Sequence, residues 1–278
     1  MRIQLPQDRF IQAGGINTRF WSFGDEGSTV ILIHGLGASA EIWMHNVYAL
    51  AKHHRIYVLD LAGFGMSEKP PPAFTLLDYV RFIDNFMIAL NIEHASLIGQ
   101  SLGGGIALQY ALQFPQKVDK IVLADCAGFG REVRWTLRLM SLPFVGELVS
   151  RPTRTYVALF FKYAVYNPKT ITEDFIDIYY KYFTQPGSQA FLLKIVRMSV
   201  DVFGAKEEIL NPVLENLHNI KQPAMIIWGE NDGVFPLKHA YSGKERISDS
   251  RLCVMKQCGH IPNFEKPEDF NRLVLDFL

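Results

Sequence analysis

The stretch Gly99-Gln100-Ser101-Leu102-Gly103 decides the fold of this 278-residue chain. It follows the apolar run Ala95-Ser96-Leu97-Ile98 and leads directly into a helix-like stretch, so a strand, a sharp turn and a helix are predicted around Ser101. This pattern is typical of a nucleophile elbow, in which a strained serine projects its hydroxyl into a site. Gly99 and Gly103 are expected to be required because a Cβ would collide where the helix folds back on the strand.

Composition narrows the classes of partner. Hydrophobic residues make up 49% of the chain, enough for a large core. The 28 acidic and 28 basic residues balance to a net charge of +0, which gives no electrostatic basis for binding nucleic acid or an anionic membrane surface. A small-molecule partner, neutral or mildly polar, is therefore expected.

Cysteine usage and the amino-terminal sequence favour a cytoplasmic protein. Cys126, Cys253 and Cys258 are too few for a disulfide framework, and the first residues lack the apolar stretch of a signal peptide. Because no apolar run approaches the length of a membrane span, any membrane association would be peripheral. The oligomeric state is left open by the sequence.

Short β-branched runs that each end at a turn predict a parallel sheet. Residues 9–23 form a predicted antiparallel hairpin around Gly14-Gly15 at one sheet edge. Helix-like stretches at 76–90 and 102–114 alternate with the later strands, as in a doubly wound α/β sheet. The predicted buried strands cover residues 30–33, 55–59, 95–98, 120–124, 224–228 and 251–255.

The alternation of strands and helices fails between residues 128 and 219. Several helices and no convincing strand are predicted there, separated by prolines. We therefore expect a core of residues 1–127 and 220–278 with an all-helical cap segment (residues 128–219) inserted after the sixth strand. The cap segment is rich in aromatic residues, most of which should pack the cap while the others line an apolar pocket that faces Ser101.

Ser101, His260 and Asp232 are the candidate catalytic residues. A serine hydroxyl needs a base to take its proton, and that base needs a third group to orient it. His260 follows the last predicted strand, and Asp232 follows the strand before it, in the order that the motif expects. Asp125, which ends the preceding strand, is the alternative acid.

Two backbone amides are the candidate oxyanion hole. The loop His34-Gly35-Leu36-Gly37 follows a strand and carries the Leu36 amide, and Leu102 follows the candidate nucleophile. His34 is expected to brace this loop by hydrogen bonding. The glycine-containing loop at 60–67 has the wrong spacing for a dinucleotide site and is expected to be structural. No cofactor is expected, and no metal, because the His and Cys spacing does not fit a ligand set.

These motifs, with the stretch 259–267, resemble those of the α/β-hydrolase superfamily over nearly the full chain. The resemblance implies the α/β-hydrolase fold: an eight-stranded, mostly parallel sheet with a helical cap, a Ser-Asp-His triad and an acyl-enzyme intermediate. Related dehalogenases and epoxide hydrolases use an aspartate nucleophile, whereas this chain has Ser101. Relatives of the haloperoxidase or perhydrolase type share the triad.

A serine carboxylic-ester hydrolase for small to medium apolar esters is the expected function. One alternative is a carbon–carbon bond hydrolase of ring-fission dienoates. Such enzymes usually have Trp after the catalytic His, where this chain has Ile261, and they would need a basic cap residue such as Arg131, Arg134 or Arg138 facing the pocket. A small-molecule receptor with slow turnover is a further alternative.

Overall fold

The computed structural model describes residues 6–278 as a sheet flanked by helices. The strands are β1 (Arg9–Ala13), β2 (Ile16–Phe23), β3 (Thr29–Ile33), β4 (Arg55–Leu59), β5 (Ala95–Gln100), β6 (Val118–Ala124), β7 (Val200–Asp201), β8 (Gly204–Ala205), β9 (Ala224–Gly229) and β10 (Ser250–Met255). The helices are α1 (Val47–Leu50), α2 (Asp78–Ala89), α3 (Leu102–Gln113), α4 (Trp135–Ser141), α5 (Val145–Val149), α6 (Arg154–Lys162), α7 (Glu173–Phe183), α8 (Ser188–Ser199), α9 (Glu207–Asn216), α10 (Lys238–Arg246), α11 (Pro262–Glu265) and α12 (Pro267–Phe277). Within the described residues, no helix is both long and apolar enough to cross a membrane.

Eight of these strands form one mostly parallel sheet, as predicted. Their order is β1-β2-β4-β3-β5-β6-β9-β10. The β1–β2 and β2–β4 pairs are antiparallel, and every other neighbouring pair is parallel. The predicted hairpin therefore lies at one edge, with Ala13 opposite Ile16 across its turn.

The central strands explain the apolar runs in the sequence. Every residue of β3, β5 and β9 is buried, because parallel strands with helices on both faces have no solvent-facing side. The parallel strands share a direction, so the loops after β3, β5, β6, β9 and β10 emerge at the same sheet edge. This is the edge at which open α/β sheets bind ligands.

The cap segment contains α4 to α9, and it also contains a short ribbon that the sequence did not predict. Strands β7 and β8 pair antiparallel over two residues each, so the expectation of an all-helical insertion is corrected. Two residues are too few to produce an alternating pattern. Gly204 closes the ribbon with φ +132°, and a Cβ there would lie 2.2 Å from the Arg131 carbonyl oxygen. The division into core and cap stays a prediction.

Candidate active site

Ser101 lies in a strained turn between β5 and α3. Its backbone has φ 54° and ψ −117°, a conformation that non-glycine residues adopt rarely. A Cβ on Gly99 would lie 2.3 Å from the Gly103 carbonyl oxygen, and one on Gly103 would lie 2.2 Å from the Ile33 carbonyl oxygen. Both contacts are impossible, so the structure supports the steric role predicted for these glycines.

Ser101, His260 and Asp232 form a continuous hydrogen-bonded chain. His260 Nε2 lies 2.9 Å from Ser101 Oγ, and His260 Nδ1 lies 2.8 Å from Asp232 Oδ2. The Asp232 side chain is fully buried, and that of His260 is 8% exposed. The arrangement can therefore move the serine proton to the imidazole and hold the imidazole through a buried carboxylate.

Hydrogen bonds from backbone amides and from one side chain hold Asp232 and His260 in place. Asp232 Oδ1 accepts hydrogen bonds from the amides of Val234 (2.7 Å) and Phe235 (3.1 Å). The Gln100 side-chain amide donates to the His260 carbonyl oxygen at 2.8 Å, and the His260 amide donates to the Ala164 carbonyl oxygen. Gln100, the neighbour of Ser101, thus ties the elbow to the loop that carries His260.

Glu265 supports the His260 loop in a way that the residue-by-residue sequence reasoning missed. Its carboxylate accepts from the Gly259 amide at 2.8 Å and from the Tyr166 amide at 2.7 Å. Burial raises the pKa of Glu265. The stretch 259–267, which carried part of the family resemblance, contains this glutamate, and that was the available signal.

Asp125 lies beside this chain of hydrogen bonds rather than within it. Its Oδ1 accepts from the Gly229 amide at 3.0 Å, and among the described residues no hydrogen bond joins it to His260. Burial, followed by the charge of Asp232, raises the pKa of Asp125 well above its usual range. Of the two candidate acids, the structure brings Asp232 to the imidazole.

The two candidate oxyanion amides belong to backbone segments that adjoin Ser101. Leu102 is the first residue of α3, so its amide has no acceptor within the helix. A Cβ on Gly35 would lie 3.1 Å from Ser101 Cβ, so the loop that carries Leu36 passes directly over the serine. We therefore expect both amides to donate hydrogen bonds to the carbonyl oxygen of a substrate when Ser101 attacks its carbonyl carbon.

His34 braces the same loop, as the sequence predicts. Its Nδ1 lies 2.8 Å from the Gly35 carbonyl oxygen, and its Nε2 lies 2.9 Å from the Leu61 amide that donates to it. Full burial lowers the pKa of His34 to about 4. The imidazole is therefore neutral, with one nitrogen donating and the other accepting.

A buried ionic network anchors the rest of this loop. Arg19 donates to Glu41 Oε1 at 2.7 Å and to Asp60 Oδ2 at 3.2 Å. Asp60 Oδ1 accepts from the Ala40 amide at 2.7 Å. Tyr182 on α7 donates to Glu41 at 2.7 Å, which ties the cap segment to the loop. The structure thus supports a structural role for the Asp60 loop.

A cavity of about 550 Å³ opens above Ser101 and His260. This volume suits a small organic molecule. The predicted contribution of cap aromatics is found, while Phe175, Tyr179 and Phe191 pack inside the protein instead. The aromatic lining residues are Trp135, Tyr156, Phe160, Phe161 and Tyr163.

Arg134 is the arginine that faces this cavity. One of its guanidinium nitrogens donates to the Tyr163 carbonyl oxygen at 2.7 Å, which leaves other N–H groups for a ligand. Arg131 pairs with Glu207 instead, and Arg138 lies 3.4 Å from the Val202 carbonyl oxygen. Of the three arginines considered from the sequence, Arg134 is the one that lines the cavity and can contact a molecule bound there.

Asp125, Asp232 and His260 are also residue types that bind metals, and one potential ligand atom from each lies within 4.8 Å of the others. Both nitrogens of His260 already have protein partners in Ser101 and Asp232. The cluster is therefore suited to proton transfer from Ser101 to His260.

The chain was next compared with known proteins. The sequence model of the alpha/beta hydrolase fold family matches residues 28–267. A 2-hydroxy-6-oxo-6-(2'-aminophenyl)hexa-2,4-dienoic acid hydrolase of Metapseudomonas resinovorans is 30% identical over 276 residues, which cover 98% of this chain and 90% of the relative. A 2-hydroxy-6-oxo-2,4-heptadienoate hydrolase of Pseudomonas putida is 28% identical, with 97% of this chain and 95% of the relative covered.

Comparison with solved structures also finds similarity to a hydrolase of this kind. A meta-cleavage product hydrolase from Pseudomonas fluorescens superposes with a TM-score of 0.83 at 29% identity, covering 97% of this chain and 96% of that one. The similarity extends over the sheet and the cap segment together, so it is not confined to the motifs around Ser101.

Proposed function

The chain belongs to the α/β-hydrolase fold family, and on that premise we propose that it is a serine-dependent hydrolase that cleaves a carbon–carbon bond of a 2-hydroxy-6-oxo-2,4-dienoate. The sequence alone favours ester hydrolysis, with carbon–carbon cleavage as the alternative. Relatives that are named as hydrolases of such dienoates favour the alternative.

Arg134 is the observation that carries this proposal. The substrate class has a carboxylate at one end and a ketone at the other. A cavity with mainly aromatic and aliphatic walls, one arginine and a candidate nucleophile offers a partner for each part of such a molecule. A neutral ester would leave the guanidinium without an anionic partner.

The substrate first tautomerises: the proton of its 2-hydroxyl is lost, C5 gains a proton, and a C2 ketone conjugated with a C3–C4 double bond is formed. Ser101 Oγ then attacks the C6 carbonyl. The serine proton passes to His260 Nε2, 2.9 Å away, while Asp232 stabilises the imidazolium. The oxygen on C6 becomes negative and accepts hydrogen bonds from the amides of Leu36 and Leu102.

Collapse of this adduct then breaks the C5–C6 bond. The electron pair remains on C5, where conjugation with the C2 ketone delocalises it, and the dienolate takes the proton from His260. The C6 fragment stays on Ser101 as an ester until His260 removes a proton from water, which attacks and releases a carboxylic acid. In sum, one water is added across C5–C6.

Ester hydrolysis is the second candidate, and Ile261 is the observation that favours it. Carbon–carbon hydrolases usually have Trp after the catalytic His, whereas Ile261 lies in the cavity wall here. The same residues would perform the same steps on an ester, with an alkoxide as the leaving group in place of the C5 carbanion.

Arg134→Gln tests the proposal. We expect this variant to raise KM for 2-hydroxy-6-oxo-6-phenylhexa-2,4-dienoate by about 10- to 100-fold, because a hydrogen-bonded ion pair is lost. KM for p-nitrophenyl butyrate, which has no carboxylate, should change less than about twofold.

Arg138→Gln is the matched control, because Arg138 lies outside the cavity lining. It should leave both KM values unchanged. An equal effect of Arg134→Gln on the two substrates would contradict carboxylate binding by Arg134. Turnover of the ester together with no turnover of the dienoate would establish the second candidate.

A further inference from the structure

We propose that Asp125 acts as a neutral hydrogen-bond donor that positions Asp232 and, through it, orients His260 toward Ser101. The inference rests on the proposed roles of these three residues. Asp125 touches no reacting atom in this account, so it is a positioning residue.

One oxygen of Asp125 has no hydrogen-bond donor, and the carboxyl group lies close to Asp232 and His260. Asp125 is completely buried, and its Oδ1 accepts from the Gly229 amide at 3.0 Å. Among residues 6–278, no group donates to its Oδ2. An oxygen of Asp125, an oxygen of Asp232 and a ring nitrogen of His260 lie within 4.8 Å of one another.

Two adjacent buried carboxyl groups cannot both be charged at low cost, so one of them keeps a proton. Asp232 accepts from two backbone amides and has His260 Nδ1 within hydrogen-bond distance, so both of its oxygens already have donors. Asp125 has a single backbone donor. The proton therefore belongs on Asp125 Oδ2, where an O–H can donate to Asp232.

The other titratable groups around Asp125 are Glu265, the thiols of Cys126 and Cys258, and His260. Burial is the largest cause of the raised pKa of Asp125, followed by the charge of Asp232, and the charge of Glu265 adds to them. Burial raises the pKa of the Cys126 and Cys258 thiols, so neither brings a charge at neutral pH. His260 is the nearby group that can become positive, and its Nδ1 already faces Asp232.

The backbone of Asp125 carries strain that supports a specific role. Its φ is +42°, a conformation that favours glycine and is tolerated best by Asn and Asp among other residues. A strained residue in a fully buried position needs surroundings that hold it there, and such residues cluster at functional sites. Asparagine at this position should therefore fold, keep a donor and lack a charge.

The test compares Asp125→Asn with Asp125→Gly, which accepts the same φ and removes the donor. The readout is the rate at which a fluorophosphonate probe labels Ser101, because this rate reports activation of the serine without needing the natural substrate. The labelling rate of Asp125→Asn should stay within about threefold of the wild-type rate. The labelling rate of Asp125→Gly should fall by about tenfold or more. Asp276→Asn, an exposed carboxyl on α12, is the control for loss of a carboxyl elsewhere.

The pH dependence of labelling separates a neutral Asp125 from a charged one. If Asp125 is already neutral, Asp125→Asn should leave the midpoint of the acid limb unchanged. If Asp125 were ionised beside His260, its removal would move that midpoint down by about one pH unit or more. A shift of that size would overturn the inference.

The rates distinguish the remaining outcomes. If Asp125→Gly has a lower melting temperature but Ser101 is labelled at the wild-type rate, Asp125 contributes to stability alone. This result would overturn the inference. Equal loss in Asp125→Asn and Asp125→Gly would mean that the negative carboxylate is needed, which also overturns it. A folded wild type that is never labelled would reject the proposed function, and the inference with it.

Discussion

At the scale of single residues, two histidines near the sheet edge have different roles: His260 faces Ser101, and His34 supports a loop. His260 lies at the cavity with one nitrogen toward Ser101. His34 is fully buried, and both of its nitrogens are used by backbone groups of neighbouring loops. Its role is to hold the loop of Leu36, and it can do so only while the imidazole is neutral.

This requirement predicts an acid-sensitive stability. The pKa of His34 is lowered to about 4, so its contribution is complete above the unfolded-state pKa of about 6.5 and is lost as pH falls toward 4. The loss should amount to about 3 kcal/mol between pH 7 and pH 4. Urea unfolding of the wild type and of His34→Asn across this range measures it.

His34→Asn should flatten this part of the pH dependence, whatever its effect on stability at pH 7. His218→Asn is the control, because His218 is exposed. If His34→Asn and the wild type lose the same free energy of unfolding between pH 7 and pH 4, His34 is not the group responsible.

At the scale of elements, the loop after β3 is held by residues of β2 and of α7. Arg19 on β2 fixes Glu41 from the core, while Tyr182 on α7 reaches the same carboxylate from the cap segment. Because the Leu36 amide precedes this anchored stretch by only a few residues, the network supports the backbone that is proposed to bind the oxyanion.

Tyr182→Phe tests this connection. Loss of a hydrogen bond to a buried carboxylate should cost about 1–3 kcal/mol, or about 2–8 °C in melting temperature for a chain of this size. Tyr180→Phe is the matched control on the same helix, since its ring is partly exposed. Equal melting temperatures for the two variants would contradict the role of the Tyr182 hydroxyl.

Local signals in the sequence could predict most elements of this site. Ser101, Asp232 and His260 each follow a short apolar strand, and parallel strands end at one edge, so their meeting could be expected. Helix α3 begins within the glycine pattern that predicts it. The fold class followed from the same regularity of strand and helix.

Contacts between distant parts of the chain could not be predicted in this way. The network of Arg19, Glu41, Asp60 and Tyr182 joins four segments that share no local pattern. Strands β7 and β8 were missed because each has two residues. The position of Asp125 beside Asp232 depends on the adjacency of β6 and β9, which the strand order alone reveals.

At the scale of the whole molecule, the sheet edge carries the proposed reacting groups, and most of the residues that line the cavity come from the cap segment. Ser101 and His260 lie at the sheet edge. Helix α4 contributes Trp135 to the cavity lining, next to Arg134 in the sequence, and helix α6 contributes Phe160. Reaction type is thus expected to depend on the sheet edge, and substrate choice on the cap segment. This division can be tested on the intact protein.

The most direct measurement is product analysis by mass spectrometry after the protein reacts with 2-hydroxy-6-oxo-6-phenylhexa-2,4-dienoate, for the wild type and for Ser101→Ala. The account predicts that the wild type forms benzoic acid and 2-hydroxypenta-2,4-dienoate, and that folded Ser101→Ala forms neither above the uncatalysed rate. Equal product formation by Ser101→Ala would contradict the role of Ser101. An unreacted dienoate with a wild type that hydrolyses p-nitrophenyl butyrate would contradict carbon–carbon cleavage.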